Sequence, residues 1–148
     1  MKEVIVYTDG SCDPNPGPGG WAAILKYNNN LRELSQPVQN HTTNNRCELL
    51  AAIEALKALK EPCNVLLHSD SAYVVNAFNK NWIPSWISNK WLNSESKPVM
   101  NRDLWEQLIA LVNIHKVTFI KVKGHGSDRM NIRCDELAKK AQKKAVGF

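Results

Sequence analysis

The stretch "VYTDGSCDPNPGPGGW", residues 6–21, decides how the chain begins to fold. The β-branched and aromatic residues before Asp9 predict a buried strand over residues 3–9. The glycines and prolines that follow predict a turn-rich loop. A carboxylate therefore stands at the edge of a buried strand, and two interpretations are open. Asp9 is either a turn former or one ligand of a metal site that other acids of the chain complete.

Length and composition fit one domain, over residues 1–148, with a core of its own. No run of residues approaches the roughly eighteen apolar positions of a membrane span. The N-terminal residues lack the apolar length of a signal peptide. The four cysteines show no C-x-x-C spacing, which favours free thiols in a reducing compartment. We therefore expect a cytoplasmic monomer with no membrane partner.

Charge is distributed unevenly along the chain, whose net charge is +5. Residues 1–70 hold six Lys/Arg and eight Asp/Glu, whereas residues 115–148 hold nine Lys/Arg and three Asp/Glu. A basic C-terminal third indicates a polyanionic partner. For the stretch "ELAKKAQKKA" alone, a solvated helix face is the interpretation that we favour.

The spacing of apolar residues predicts one α/β domain with a five-stranded mixed sheet and helices on both faces. Three antiparallel strands come first, and the third is an edge strand because Pro37 cannot donate to a neighbour. Two parallel strands follow a helical crossover. The predicted elements are strands over 3–9, 20–27, 31–39, 64–70 and 116–123, helices over 42–60, 71–80, 101–114 and 132–145, and an irregular segment over 82–98.

Four acids from separate segments are predicted to converge at one edge of this sheet. Asp70 ends the fourth strand as Asp9 nearly ends the first, and ligand sites lie where parallel strands end. Glu48 is expected in the first turn of the crossover helix, and Asp135 is expected to open the last helix. Helix capping is the structural alternative for these last two acids and for Asp70. Crowded carboxylates repel one another unless a divalent cation joins them, and oxygen ligands favour Mg²⁺ or Mn²⁺ over Zn²⁺.

Six motifs in this order resemble type 1 ribonuclease H, in its bacterial form, over essentially the whole chain: "YTDGSCDPNPGPGGWA", "TTNNRCELLAAIEAL", "SDSAYVV", "KPVMNRDLW", "VKGHGSDRMN" and "RCDELAKKA". The resemblance implies an endonuclease that hydrolyses the RNA strand of RNA–DNA hybrids, leaving 5′-phosphate and 3′-hydroxyl ends. It implies two Mg²⁺ ions, with Mn²⁺ as a substitute. It also implies that His125 is catalytic, in proton transfer or product departure. The implied metal ligands, catalytic themselves, are Asp9, Glu48, Asp70 and Asp135.

The resemblance further implies which residues bind the hybrid. They are Cys12, Asn15, Asn44, Asn45, Trp82, Lys97 and Asn101. Short polar side chains suit the wide, shallow minor groove of an A-form-like duplex. The tryptophan-rich segment, residues 82–98, matches a substrate-binding element that we call the handle. Many relatives crowd this handle with cations, whereas here it offers only Lys90, with Lys80 just before it.

Several residues near these motifs favour a structural role. His68 lies two residues before Asp70, so both side chains share one face of a strand. It either tunes that acid or is an ordinary part-buried histidine, and we favour the second. Cys47 and Cys134 each precede an acid, but no ligand spacing supports a zinc or redox site. The remaining tryptophans, whose expected role is core packing, are Trp86, Trp91 and Trp105.

The same architecture hosts integrases, transposases, exonucleases and resolvases, so fold alone does not choose the function. A binding module for hybrids would be expected to lose at least one of the four acids, and all four are present. A glycosidase would need two carboxylates and no metal, and a chelator separates it from a metal-dependent nuclease. The nuclease is therefore the function that the sequence favours.

Overall fold

The chain folds around one five-stranded sheet, in a computed structural model that describes residues 1–124 and 126–146. The elements are β1 (Lys2–Cys12), β2 (Gly17–Tyr27), β3 (Asn30–Thr42), α1 (Asn44–Lys57), β4 (Cys63–Ser69), α2 (Ala72–Asn79), α3 (Trp82–Ser88), α4 (Arg102–Ile114), β5 (Lys116–Lys121) and α5 (Arg129–Val146). The strands lie in the order β3-β2-β1-β4-β5. Pairing is antiparallel from β3 to β1 and parallel from β1 to β5, which confirms the predicted fold class.

Helices cover both faces of the sheet, as the sequence predicts. Side chains alternate along β1, so that Val6 joins the large core beneath α1, α2 and α4. Tyr7 joins a smaller core on the other face, against Cys134 and Ala138 of α5. Strand β3 lies at an edge and carries Pro37, as expected. In the described part of the chain, no helix has both the length and the apolar character needed to cross a membrane.

Two element boundaries differ from the predictions in ways that matter for the acids. Strand β1 runs three residues past Asp9, because its pairing with β2 continues to Cys12 opposite Gly19. Helix α5 begins at Arg129, three residues earlier than expected. Asp9 therefore lies inside a paired strand, and Asp135 lies inside a helix.

The tryptophan-rich segment is not wholly irregular, because its first part forms the short helix α3. Pro84 is compatible with this helix, since it occupies the first turn, where no intrahelical bond is lost. Trp105 is fully buried, and the Trp86 ring lies 5.3 Å from it. Trp86 and Trp91 are partly buried against the core, so core packing is confirmed for all three tryptophans.

Candidate metal centre and nucleic-acid groove

Asp9 is held by the most central strand of the sheet. It pairs with Ala22 across the β1–β2 ladder, so it is not a turn former. The residue is 3% exposed, and Oδ1 accepts a hydrogen bond of 2.9 Å from the Gly10 N–H. Oδ2 is buried and has no hydrogen-bond partner among the described residues. A buried carboxylate oxygen without a donor is one that a bound ligand would satisfy.

Glu48 reaches the same place from α1. Thr43 caps this helix by accepting from the Arg46 N–H at 3.2 Å, so Glu48 lies in the second turn, not the first, and is not a cap. It is 5% exposed, and its Oε1 has no partner among the described residues. Asp9 Oδ2 and Glu48 Oε1 are thus both buried without a hydrogen-bond partner among the described residues, and both acids line one cavity.

Gly10 makes this approach possible. A Cβ atom at Gly10 would lie 2.6 Å from the Glu48 nitrogen and 2.7 Å from the Cys47 carbonyl carbon. Real Cβ atoms do not come that close to a backbone. The absence of a side chain at Gly10 therefore sets how near α1 can lie to β1.

Gly10→Ala should move α1 away from β1 and carry Glu48 with it. We expect a loss of about 2–3 kcal/mol in the free energy of unfolding, typical of overpacking against backbone. Denaturant unfolding measures that loss, and kcat measured where the variant is fully folded should fall as well. Wild-type kcat and stability would contradict this account of the packing.

Asp70 follows β4 directly, beside the end of β1. Ser71, not Asp70, caps α2, because the Ser71 hydroxyl accepts from the Val74 N–H at 3.2 Å. Asp70 is half-buried and lines the same cavity as Asp9 and Glu48. One carboxylate oxygen from each of the three lies within 4.8 Å of the others. The structure thus brings three of the four predicted acids into a tight cluster.

Asp135 stands at the margin of this cluster. The prediction that it opens the last helix is wrong, because Asp128 precedes α5 and accepts from the Met130 N–H at 3.0 Å. Asp135 lines the acid cavity from the second turn of α5 and pairs with Lys139 at 2.9 Å. Its place beside Asp9 is therefore not explained by helix capping.

Burial and the crowding of the acids raise the pKa values of Asp9 and Glu48. Burial, then the charge of Asp70 and the nearby Asp135, raise the pKa of Asp9 from 3.8 to about 8. Burial, then the charges of Asp9 and Asp70, raise the pKa of Glu48 well above its ordinary value. A divalent cation would satisfy the orphaned oxygens and remove the repulsion. The all-oxygen donor set fits Mg²⁺ or Mn²⁺, so the residues present suit such an ion.

His125 lies outside the described residues, but its neighbours indicate where the loop runs. A Cβ atom at Gly124 would lie 3.4 Å from Asp70 Oδ2, so this part of the backbone passes beside the acids. On the other side, Tyr7 donates a hydrogen bond to Asp128. The backbone before His125 thus passes close to Asp70, and Asp128 after it is hydrogen-bonded to Tyr7 of β1.

A groove leads from the acid cavity toward the handle. The acid cavity has a volume of about 480 Å³, and a neighbouring cavity of about 560 Å³ shares Asn44 and Asn45 with it. A third, of about 520 Å³, shares Trp86 with the second and is lined by Trp82. The implied substrate-binding residues that line these cavities are Asn15, Asn44, Asn45, Trp82 and Asn101.

Two implied substrate-binding residues do not line the groove. The Cys12 thiol is buried, 3.4–3.6 Å from the carbonyl oxygens of Pro14, Gly17 and Thr42. Contact between Cys12 and a substrate would therefore have to use its backbone. Lys97 is exposed and lies 3.7 Å from Glu95.

Asn131 and Tyr73 also line the acid cavity, although the sequence did not lead us to expect them there. Asn131 is 4% exposed, and its Oδ1 has no partner among the described residues. It lies four residues before Asp135, so helical spacing could have placed both on one face. Tyr73 also lines the cavity, three residues after Asp70 at the start of α2. Its helical position could have indicated this, but its hydrogen-bond partners could not have been predicted.

The histidine and cysteines beside the acids make contacts inside the protein. His68 stacks on Tyr7, with ring centroids 4.4 Å apart, and its Nδ1 lies 3.2 Å from the Leu66 carbonyl oxygen. Cys47 and Cys134 are buried free thiols, and burial raises the pKa of Cys47 to about 11. Among residues 1–124 and 126–146, the three acids alone form a group able to hold a metal.

Comparison with known proteins gives one consistent result. The RNase H family model matches residues 1–143. The chain is 56% identical to a ribonuclease H of Symbiobacterium thermophilum, covering 95% of each chain. It is 56% identical to one of Acetivibrio thermocellus, covering 93% of each.

Solved structures agree with the relatives. LC9-RNase H1, a type 1 RNase H with the type 2 active-site motif, is similar with a TM-score of 0.86 and 27% identity, over 98% of this chain and 74% of that one. LC11-RNase H1, solved in complex with an RNA/DNA hybrid, shares the fold at a TM-score of 0.72 and 23% identity, over 97% and 99% of the two chains. From the family match and the close relatives, the protein is a nuclease that belongs to the ribonuclease H family.

Proposed function

We propose that the protein is an endonuclease that hydrolyses the RNA strand of RNA–DNA hybrids with two divalent cations, leaving 5′-phosphate and 3′-hydroxyl ends. The observation that carries the proposal is the cluster of Asp9, Glu48 and Asp70, with two orphaned carboxylate oxygens at the head of a polar groove. Membership of the family and the hybrid-bound structure of LC11-RNase H1 support the choice of substrate.

Four carboxylates would hold the cations. Asp9 and Glu48 would supply the buried part of the site, and Asp70 and Asp135 would supply half-buried carboxylates from the end of β4 and from α5. When bound, two Mg²⁺ or Mn²⁺ ions lower the pKa of the attacking water and stabilise charge on the phosphate. The burial of Asp9 and Glu48 would keep water from one side of the site and would hold both carboxylates in place. His125 would exchange protons at the reacting group or assist product departure.

The groove would hold the hybrid by its sugars and phosphates. Asn44 and Asn45 lie between the acids and the handle, where amide groups can meet 2′-hydroxyls or base edges of the RNA strand. Trp82 is exposed at the far end and would pack against a sugar of the DNA strand. We further propose that the protein acts in the cytoplasm as a monomer of one domain.

A labelled RNA–DNA hybrid tests this function directly. Incubation with Mg²⁺ should cut the RNA strand and leave the DNA strand intact, and excess chelator should stop the reaction. Duplex DNA and duplex RNA should resist cleavage. Full cleavage in chelator would rule out the metal mechanism, and cutting of duplex DNA at the same rate would rule out the substrate class. Terminal-group analysis of the products checks the 5′-phosphate and 3′-hydroxyl ends.

The sparsely charged handle predicts weak dependence of binding on salt. Ser88 and Asn89 are exposed and line the cavity that contains Trp82. Replacing both with lysine should add about two phosphate contacts, and each should steepen the slope of log K against log salt by about one unit. KM should fall, with kcat little changed.

A matched control carries the same two charges elsewhere. Ala110→Lys with Asn113→Lys places them on the exposed face of α4, outside the residues that line the groove. This control should leave the slope near the wild-type value. An unchanged slope after the Ser88 and Asn89 substitutions would mean that the handle does not touch the hybrid.

A further inference from the structure

Gln142 of α5 connects the last helix to the loop between β1 and β2, residues 13–16. Its Nε2 donates a hydrogen bond of 2.7 Å to the backbone carbonyl oxygen of Asp13. Its Oε1 accepts one of 2.9 Å from the Ser11 hydroxyl. One half-buried amide thus bonds both the end of β1 and the first residue of the loop.

Hydrogen-bond chemistry fixes how this amide is oriented. A backbone carbonyl oxygen only accepts, so the group that faces Asp13 must be the NH2 of Gln142. The amide oxygen then faces Ser11, whose hydroxyl can donate to it. Both bonds form in the same orientation, so the contact requires a side chain that donates and accepts at once.

Helix α5 is a firm support for this contact, because it lies directly on β2. Ala138 and Ala141 of α5 are buried, and a Cβ atom at Gly20 of β2 would come within 2.4 Å of the Gln142 nitrogen. Gly20 pairs with Ser11 across the β1–β2 ladder. The backbone of Gln142 is therefore fixed over the same pair of strands to which its side chain is bonded.

The other side of the loop reaches the groove. Residues 13–16 are exposed, and Asn15 and Pro16 line the cavity next to the acid cavity. Asn15 Oδ1 accepts a hydrogen bond of 3.1 Å from the N–H of Asn44, the first residue of α1. This bond leaves the Asn15 NH2 to donate to a ligand in the groove. Gln142 and Asn44 thus bond the loop from two different helices.

We propose that Gln142 is a positioning residue, which holds the β1–β2 loop in the shape that lets Asn15 donate to the hybrid. This inference rests on the proposed function, because it takes Asn15 to be one of the residues that bind the hybrid. A loop that is ordered before the substrate arrives loses less entropy on binding, so the complex is tighter. Gln142 is not among the described residues that line the acid cavity or its two neighbours, so it acts through the loop.

Gln142→Met keeps the length of the side chain and removes the amide. We expect Kd for the hybrid, measured in chelator so that no cleavage occurs, and KM to rise about five-fold, while kcat stays within about two-fold. No charge changes, so the slope of log K against log salt should stay at the wild-type value. Gln107→Met is the matched control, since Gln107 is exposed on α4 outside the groove, and it should bind normally.

Metal affinity separates this role from a general effect on α5. Asp135 lies about two turns before Gln142 on the same helix, so a displaced helix would move a proposed metal ligand. Metal affinity of Gln142→Met should therefore stay near the wild-type value. Lower metal affinity and lower kcat with an unchanged Kd would overturn the proposal, because Gln142 would then hold the helix and not the loop.

A double-mutant cycle tests whether Gln142 acts through Asn15. Asn15→Ala alone should weaken binding about five-fold, and adding Gln142→Met should then change Kd by no more than about two-fold. A purely structural role of Gln142 would not give this coupling in Kd. Strictly additive effects of the two substitutions would overturn the proposal.

A second variant keeps the test valid if Gln142→Met unfolds. Ser11→Ala removes one of the two bonds, so Kd should rise about three-fold, with no further rise in the Asn15→Ala background. A wild-type protein that neither binds nor cuts a hybrid would overturn the proposed function, and this inference with it. Wild-type cleavage with strictly additive effects would overturn this inference alone.

Discussion

Replacing Asp9 with asparagine should abolish cleavage and, at the same time, stabilise the metal-free protein. The loss in kcat should be roughly 1,000-fold or more, because the variant lacks a buried ligand of the proposed cations. The gain in unfolding free energy should be about 1–4 kcal/mol, because a buried group that repels its neighbours is removed. Asp70→Asn should behave in the same direction.

The gain in stability should depend on pH. The pKa of Asp9 is raised from 3.8 to about 8 in the folded state, so its contribution to stability is present below pH 4 and is lost as pH rises toward 8. The metal-free wild type should therefore lose stability between about pH 4 and pH 8. Urea unfolding in chelator should show a smaller loss for Asp9→Asn, and hence a larger gain at pH 8 than at pH 5.

Neighbouring substitutions serve as controls for this result. Ser71→Ala removes the cap of α2 beside Asp70 and should lower stability by about 1 kcal/mol. Glu136→Gln removes an exposed charge next to Asp135 and should change stability and kcat little. An Asp9→Asn protein that is less stable than the wild type in chelator would contradict the repulsion argument.

His125→Ala should lower kcat by roughly ten- to a thousand-fold, the range of general acid–base effects. A histidine can exchange protons near neutral pH, and the backbone at Gly124 runs beside Asp70. The proposed cations are held by carboxylates, so metal affinity and hybrid binding should stay near wild-type values. Single-turnover cleavage measures the rate, and separate titrations measure the affinities for metal and for hybrid.

Rescue experiments sharpen this prediction. Imidazole added to His125→Ala should restore part of the rate if the lost group transfers a proton. Gly126→Ala tests the loop itself, because a Cβ there would lie 3.0 Å from the Lys123 carbonyl oxygen and 3.6 Å from the Lys123 Cβ. Weakened metal binding in His125→Ala would make the histidine a ligand, contrary to the proposal.

The fold could be predicted well because its signals are local. Apolar periodicity and Pro37 were enough for the strand order and the edge strand. The end of β1 could not be predicted in this way, since its last three residues form a strand only because they pair with β2. The start of α5 was also misplaced, because the cap is Asp128 in a polar stretch that reads as loop.

Part of the candidate site could likewise be predicted from the sequence, and part could not. The positions of strand ends and the spacing along the first helix were sufficient to predict that Asp9, Glu48 and Asp70 lie together. The close approach at Gly10 could not be predicted, because it depends on how α1 rests on β1. The hydrogen bonds that Tyr73 accepts were hidden for a similar reason, since both donors, Asn101 and Trp105, come from the start of α4, far along the chain.

The strand order has a consequence for how stiffness is distributed. Strand β1 is bonded to β2 past Asp9 and to β4 as far as Tyr7, and helices cover both of its faces, so opening the backbone near Asp9 means disrupting the centre of the sheet. The handle is built from a seven-residue helix and turns near the surface, a kind of segment that fluctuates independently at little energetic cost. The carboxylate of Asp9 thus lies on a stiff part of the molecule, and the handle, which we propose contacts the duplex, contains segments that are easier to deform.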